Sequence, residues 1–463
     1  MGCDWNKTRA GYRRGLYLLL GMMLSWAVGC PAAQSLVWKK DTDKVSANIQ
    51  SAPLEEVLNL MSVATGWEIY VQPESDQVVN VKFQDRPASE ALKLLLGGLS
   101  YAVLPQAEGP SRLLVFRTNI SQATELISPK RDPKDDTSKP IPNELVVTLK
   151  PGVNIDDIAK KVDGKVVGRN EELRVYRLQF ETAEAAERAR KLLSEDPEVA
   201  KVEGNYNVER PPDIKPVDLS SVPELSLKAE SPANDCEKVI VGLIDTSVPK
   251  TGGSLDAFLL PQIDVAGPGP TSYTSPPHGE SMASTIVRGA DFSSGGKAKI
   301  SILPVNVYGQ NVQANTYDVA NGILQAIKAG AKIINLSLGS EGPSPYLAEV
   351  IRLGQAQDVI FIAAAGNRPT TTPTYPAADP KVVAVTASDR TGNLASYANR
   401  GDFVDVIAPG STIFQFNGQR YLSSGTSVAT AYVSGLAASM ADPCNKAYSA
   451  VEAQIRKDLS VRK

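Results

Sequence analysis

Leu422-Ser423-Ser424-Gly425-Thr426-Ser427-Val428-Ala429-Thr430-Ala431-Tyr432-Val433-Ser434-Gly435 changes character partway along. A polar, Gly-containing turn gives way to small and apolar residues, the pattern of a turn opening a buried helix. Ser427 falls at or near the first helical position. A serine there has two uses. It can cap the helix, its oxygen accepting an orphan backbone N–H. Or it can be a nucleophile, with those N–H groups and the helix dipole facing the charge that develops in acyl transfer. A lone Gly-x-Ser favours the cap, so the surrounding chain must decide.

Outward from this stretch, from Glu237 on, apolar strand-like runs alternate with helical ones. Strands are expected at Val239 to Ile244, Ile300 to Val305, Ile333 to Leu338, Val359 to Ala365, Val382 to Thr386 and Phe403 to Ile407. Helices are expected at Ser281 to Arg288, Tyr317 to Ala329, Tyr346 to Leu353, Ser427 to Met440 and Ala447 to Leu459. Continuous apolar strands with helical crossovers predict an α/β fold, a parallel sheet covered on both faces. Chemistry in such sheets sits at the C-terminal strand ends. There the first run reaches Asp245 and the fourth reaches Asn367, while His278-Gly279 precedes a helix. A serine hydroxyl needs a base, usually His, and the His needs an orienting carboxylate. The chain contains one histidine, so any Ser–His pair must use His278.

Four stretches resemble the subtilase (subtilisin-like serine protease) family in its order of Asp, His and Ser. They are Val241-Gly242-Leu243-Ile244-Asp245-Thr246, His278-Gly279, Ala363-Ala364-Ala365-Gly366-Asn367 and Ser424-Gly425-Thr426-Ser427-Val428-Ala429. Asn335-Leu336-Ser337-Leu338-Gly339 and Tyr375-Pro376-Ala377 resemble two further family segments that line the substrate cleft. The resemblance covers about Lys238 to the C-terminus. It implies that Ser427 is the nucleophile, His278 the general base and then acid, and Asp245 the group that holds the imidazole. Asn367 and the Ser427 N–H would form the oxyanion hole. Ser337, Leu338 and Gly339 would pair with the substrate backbone as an added strand, with Ala365 and Gly366 beside them. Arg368 would reach the rim of the primary specificity pocket and favour acidic or polar residues there.

The sequence also departs from the family. Ser247 replaces the usual Gly after Asp-Thr. Glu280 replaces the Thr of His-Gly-Thr and, if close, would favour the imidazolium of His278. Ser281, Ala431 and Tyr432 are further substitutions on helices. Subtilases often bind calcium, but no compact Asp-rich loop assigns ligands; no metal ligand is expected from the residues themselves.

Upstream, 463 residues are too many for one core and suggest about three domains. Residues 1–33 read as a signal peptide: Lys7, Arg9, Arg13 and Arg14, then an apolar run, then small residues. Ala27-Val28-Gly29-Cys30 also resembles a bacterial lipobox with Cys30 lipidated; cleavage near Ala33 is the alternative. Residues 36–120 carry an internal repeat. Pro53 and Pro87 each open a helical pattern that ends at Gly66 or Gly98 and is followed by a strand. This small α+β domain resembles the short N-terminal domain of secretins and TonB-dependent receptors, which implies binding to an envelope protein. Residues 121–142 and 211–236 read as linkers. Residues 143–210 read strand, helix, strand, strand, helix, strand, a ferredoxin-like order, and resemble the inhibitor-type propeptide of subtilases. The tail Val202 to Arg210 would then lie in the active site, with cleavage between Tyr206 and Asn234. Cys236 and Cys444 flank the last domain and can pair in an oxidising compartment.

The expected protein is therefore an exported serine endopeptidase, periplasmic, outer-membrane-anchored or extracellular, acting on proteins or peptides and held by its own propeptide. A net charge of −3 supplies no basic field for nucleic acid. A subtilase-fold scaffold that no longer cleaves is the alternative, kept open by Ser247 and Glu280.

Overall fold

The computed structural model describes residues 35–39, 41–72, 77–104, 111–120, 123, 125–127, 138–209, 215–216, 238–295, 299–395, 397–441 and 447–461. The expected signal segment, Cys30, Cys236 and Cys444 lie outside them.

The N-terminal part follows the repeat. Strands β1 (Ser35–Lys39), β2 (Lys44–Pro53), β3 (Glu68–Val71), β4 (Val78–Pro87), β5 (Ser100–Leu104), β6 (Arg112–Phe116) and β7 (Glu125–Ile127) accompany helices α1 (Leu54–Thr65) and α2 (Ala88–Leu96). Pro53 and Pro87 sit at the two N-caps. There their missing N–H and fixed φ cost the helix nothing. The strands form two sheets, ordered β1-β2-β4 and β5-β6-β3-β7. Strand β7 corrects the first linker. Its backbone pairs with β3 and its Ile127 is 4 % exposed within the apolar core.

The middle domain has β8 (Pro140–Leu149), α3 (Ile155–Lys161), β9 (Lys165–Asn170), β10 (Val175–Gln179), α4 (Ala183–Glu195) and β11 (Val199–Val208). Strand β8 starts inside the stretch expected to be linker, because Tyr206 extends the pairing back to Pro140. Within the five-stranded antiparallel sheet β16-β11-β8-β10-β9, whose edge strand β16 (Ala314–Asn315) comes from the last domain, the order β11-β8-β10-β9 is the ferredoxin-like arrangement.

The last domain contains β13 (Val239–Asp245), β14 (Ile263–Asp264), α5 (His278–Ser294), β15 (Ile300–Asn306), β16 (Ala314–Asn315), α6 (Thr316–Lys328), β17 (Ile333–Leu336), α7 (Pro345–Gln355), β18 (Ile360–Ala364), β19 (Val383–Ser388), β20 (Val406–Pro409), β21 (Ser411–Phe416), β22 (Gln419–Ser424), α8 (Thr426–Met440) and α9 (Tyr448–Asp458). Strand β12 (Lys215–Pro216) precedes them. The seven-stranded sheet runs β14-β15-β13-β17-β18-β19-β20, all parallel. Two apolar cores cover it, one with α5, α8 and α9, the other with α6 and α7. Burial on both faces explains why these strands are unbroken apolar runs.

Three expectations on extent change. Strand β17 stops at Leu336, so Ser337 and Leu338 lie just past its C-terminal end. Strand β20 begins at Val406 rather than Phe403. Helix α5 begins at His278 rather than Ser281, with Pro277 at its N-cap.

Candidate active site

The site forms where two helix N-termini meet the C-terminal ends of parallel strands. Helices α5 and α8 cross at glycines: a Cβ on Gly435 would lie 2.1 Å from the Ile286 carbonyl oxygen, and one on Gly289 would lie 2.5 Å from that of Tyr432. Backbone-to-backbone contact brings the two axes close. His278 and Ser427 lie in the first turns of these two helices, and the Ser427 hydroxyl bonds the Ser337 carbonyl rather than His278.

Asp245 ends β13 and is 1 % exposed. Both its carboxylate oxygens lie 2.9 Å from His278 Nδ1. Its Oδ1 also accepts from the Thr246 N–H at 2.7 Å. The Thr246 hydroxyl in turn accepts from the Gly279 N–H at 2.9 Å, which ties the strand end to the start of α5. With a carboxylate on Nδ1, that nitrogen carries the proton and Nε2 is left as the basic nitrogen.

Ser427 is the second residue of α8 and 7 % exposed. Its hydroxyl donates to the Ser337 carbonyl at 3.3 Å, and the Ser337 hydroxyl donates to the Ser427 carbonyl at 3.1 Å. Behind them, Asn335 Nδ2 donates to Ser337 Oγ at 3.0 Å and Ser434 Oγ donates to Asn335 Oδ1 at 2.9 Å. The segment after β17 is thus pinned to α8.

Asn367 follows β18 and Gly366, whose φ of +110° makes the turn and favours Gly. Asn367 Oδ1 accepts from the Thr426 N–H at 2.8 Å and from its hydroxyl at 3.0 Å. This leaves the amide NH2 as the end that can donate toward the site. Asn399, buried and unremarkable in sequence, holds this loop. Its Nδ2 donates to the Ala365 carbonyl at 2.8 Å and its Oδ1 accepts from the Arg368 N–H at 2.8 Å.

The middle domain enters the cleft. The Glu209 N–H donates to the Gly339 carbonyl at 3.2 Å, and the Tyr308 hydroxyl donates to the Glu209 carbonyl at 2.8 Å. The Tyr206 ring lies on Gly342, where an added Cβ would fall 2.0 Å from it. Further on, Lys215 and Pro216 pair with Leu422 and Tyr421 of β22, which leads directly to Ser427. Arg368 does not stand alone at a pocket rim. Its guanidinium is paired with Glu209 and, at 3.4 Å, with Glu341.

Two departures find their explanation here. Ser247 adopts the turn without a left-handed φ, and Gly269 leaves it room: a Cβ there would lie 2.0 Å from Ser247 Oγ. Glu280 is 2 % exposed, and burial, helped by Asp256, pushes its carboxyl up to about 8. It is therefore protonated at neutral pH and brings no negative charge to the imidazole, contrary to the expectation from sequence. Among the described residues, no three or more His, Cys, Asp or Glu side chains converge as metal ligands.

A parallel sheet with an Asp–His pair, a helix-N-terminal serine and a neighbouring amide defines the serine-hydrolase class. Residues 237–459 match the subtilase family, and residues 128–205 match the fervidolysin N-terminal prodomain. Thermitase of Thermoactinomyces vulgaris is 32 % identical over 206 residues, 43 % of this chain and 74 % of that protein. A thermophilic serine proteinase of Bacillus sp. (strain AK1) is 34 % identical over 206 residues, 43 % of this chain and 51 % of that protein. The crystal structure of fervidolysin from Fervidobacterium pennivorans, a keratinolytic enzyme related to subtilisin, superposes with a TM-score of 0.52 at 22 % identity. It covers 67 % of this chain and 57 % of that one. The chain belongs to the subtilase family: it is a serine-type endopeptidase with a fervidolysin-like prodomain.

Proposed function

We propose that Asp245, His278 and Ser427 carry out peptide-bond hydrolysis through an acyl-enzyme, with Asn367 and the Ser427 N–H as the oxyanion hole. The observation that carries this reading is the Asp245 carboxylate with both oxygens 2.9 Å from His278 Nδ1. That contact fixes the tautomer and stabilises the imidazolium once formed.

Ser427 must first give up its hydrogen bond to the Ser337 carbonyl. His278 Nε2 then takes the hydroxyl proton as Oγ attacks the scissile carbonyl carbon. The carbonyl electron pair moves to oxygen, which the Asn367 NH2 and the Ser427 N–H receive. Collapse breaks the C–N bond, and the amine leaves with the proton from His278. Water repeats the sequence and frees Ser427.

In this reading Ser337, Leu338 and Gly339 pair with the substrate backbone, and Ala365 and Gly366 border it. The prodomain tail through Glu209 holds the cleft until the chain is cut. Its contact with Gly339 and the pairing of Lys215 and Pro216 with β22 support that role. The basic and apolar N-terminal sequence supports export, and the domain of α1 and α2 is a binding module for an envelope protein.

The test is the mass and N-terminal sequence of purified wild type beside Ser427→Ala. We expect wild type cut between Tyr206 and Asn234 and the variant whole. If both stay whole, a fluorophosphonate label decides. No label on Ser427 would sink the reading in favour of a non-cleaving scaffold.

A further inference from the structure

We infer that Arg368 makes the cleft select an acidic side chain at one defined substrate position: the residue that pairs with Gly339, two before the residue that faces Ser427. The inference deepens the peptidase reading above and rests on it.

The register comes from the prodomain tail. Glu209 bonds Gly339, and Tyr206 lies on Gly342. Numbers rise along one segment as they fall along the other, so the two run antiparallel. Two residues beyond a Gly339 partner, an extended peptide faces Ser337. The Ser337 carbonyl is the group that Ser427 Oγ touches. A substrate in this register therefore presents its reacting residue two positions after the one that meets Arg368.

The chemistry comes from the guanidinium. Arg368 is half-buried, and its backbone is fixed by Asn399 Oδ1 at 2.8 Å. Glu341 occupies Nη1 at 3.4 Å, and the Glu209 carboxylate takes Nη2. Glu341 thus holds one arm of the fork, and the other arm meets the peptide side chain. A carboxylate there makes a charge-assisted hydrogen bond. A Lys or Arg would bring like charge into a partly desolvated site, which discriminates against it.

The first arm of the test uses the protein as purified with its prodomain still associated, whether or not the chain has been cut. Ser427 is labelled with a fluorophosphonate in wild type, Glu209→Arg, Arg368→Glu and the double variant. Each single variant should label several-fold faster, because the tail is released, and the double variant should return toward the wild-type rate. The second arm uses the processed enzyme and quenched peptides that differ only at this position. The ratio of kcat/KM for Glu over Lys should be about tenfold in wild type and should invert in Arg368→Glu. A wild-type ratio near one, a ratio that Arg368→Glu leaves unchanged, or no restoration in the double variant overturns the inference. A wild type that neither labels nor cleaves any peptide after removal of the prodomain instead overturns the peptidase reading beneath it.

Discussion

Glu280 shows how one residue can be visible in sequence and misread in direction. Its place two residues after His278 suggests a charge beside the base. On a helix two steps are about 200° of rotation, so the side chain faces away from His278. Helix α5 packs against the 3₁₀ turn Ser254–Phe258, and Asp256 of that turn is the charged neighbour of Glu280. The result is a carboxyl raised from an ordinary 4.5 to about 8, with Oε2 buried and without a hydrogen-bond partner among the described residues. The sign of the pH effect follows. Between 4.5 and about 8 the unfolded chain gives up the proton while the folded chain keeps it. Stability therefore falls across that window and levels off above it, by an amount on the order of a few kcal/mol. We expect Glu280→Gln to match wild type near pH 5 and to be the more stable protein at pH 9. Denaturant unfolding at the two pH values checks this. A gap of the same size at both pH values would show that the carboxyl does not titrate in the window. The same residue scale explains what was legible. Asp245 and Asn367 stand just past long apolar strands, so sequence finds them. Asn399 holds the Asn367 loop from 31 to 34 residues away, and nothing in its local sequence announces that role.

At the scale of elements, the crossing of α5 and α8 matters more than either helix. Gly is a poor helix former, and Ala in its place favours an exposed helix by about 1 kcal/mol. At Gly435 packing opposes that gain, because the added Cβ meets the Ile286 carbonyl at 2.1 Å and Ala290 N at 2.8 Å. Both obstacles are backbone and cannot rotate away. Overpacking of this kind costs about 1–3 kcal/mol, so the clash should win. We expect Gly435→Ala to lower the Tm by several degrees. It should also slow fluorophosphonate labelling of Ser427 more than the loss of stability explains, since His278 and Ser427 ride on the two displaced helices. Differential scanning calorimetry beside the labelling rate checks both; an unchanged Tm would show that the helices can separate freely. Elements also differ in legibility. The strands of the parallel sheet are read easily because both faces are buried. The β21–β22 hairpin is harder, because its alternating burial breaks the apolar runs. Its signal lies in the turn: Asn417 and Gly418, with φ of 48° and 78°, are the residue pair a two-residue hairpin loop favours.

At the scale of the whole molecule, the prodomain's contacts reach beyond the cleft into the protease domain. Two of its side chains complete helices of the protease. Asn205 Oδ1 accepts from the Tyr317 N–H at 3.1 Å and the Thr316 hydroxyl at 3.0 Å, at the start of α6. Glu203 Oε1 accepts from the Tyr346 N–H at 3.0 Å and the Ser344 hydroxyl at 3.1 Å, at the start of α7. The Arg177 guanidinium lies over the Tyr317 ring and pairs with Asp318 at 3.2 Å. Val146, Val175 and Val208 join the same apolar core as α6 and α7. A seven-stranded parallel sheet has many distant contacts and folds slowly, whereas a small antiparallel sheet forms from nearer ones. The prodomain can therefore fold first and offer the Tyr317 and Tyr346 N–H groups acceptors beyond the helices' own caps, Asn315 and Ser344. A lost cap costs about 1 kcal/mol. If the cap is already made in the transition state, that cost slows folding about fivefold and leaves unfolding unchanged. We expect this of Asn205→Ala, measured in a Ser427→Ala background so that the chain stays whole, with pulsed hydrogen exchange reporting on α6. Faster unfolding with unchanged refolding would mean that Asn205 docks after the sheet has formed, and the prodomain would then be a plug alone.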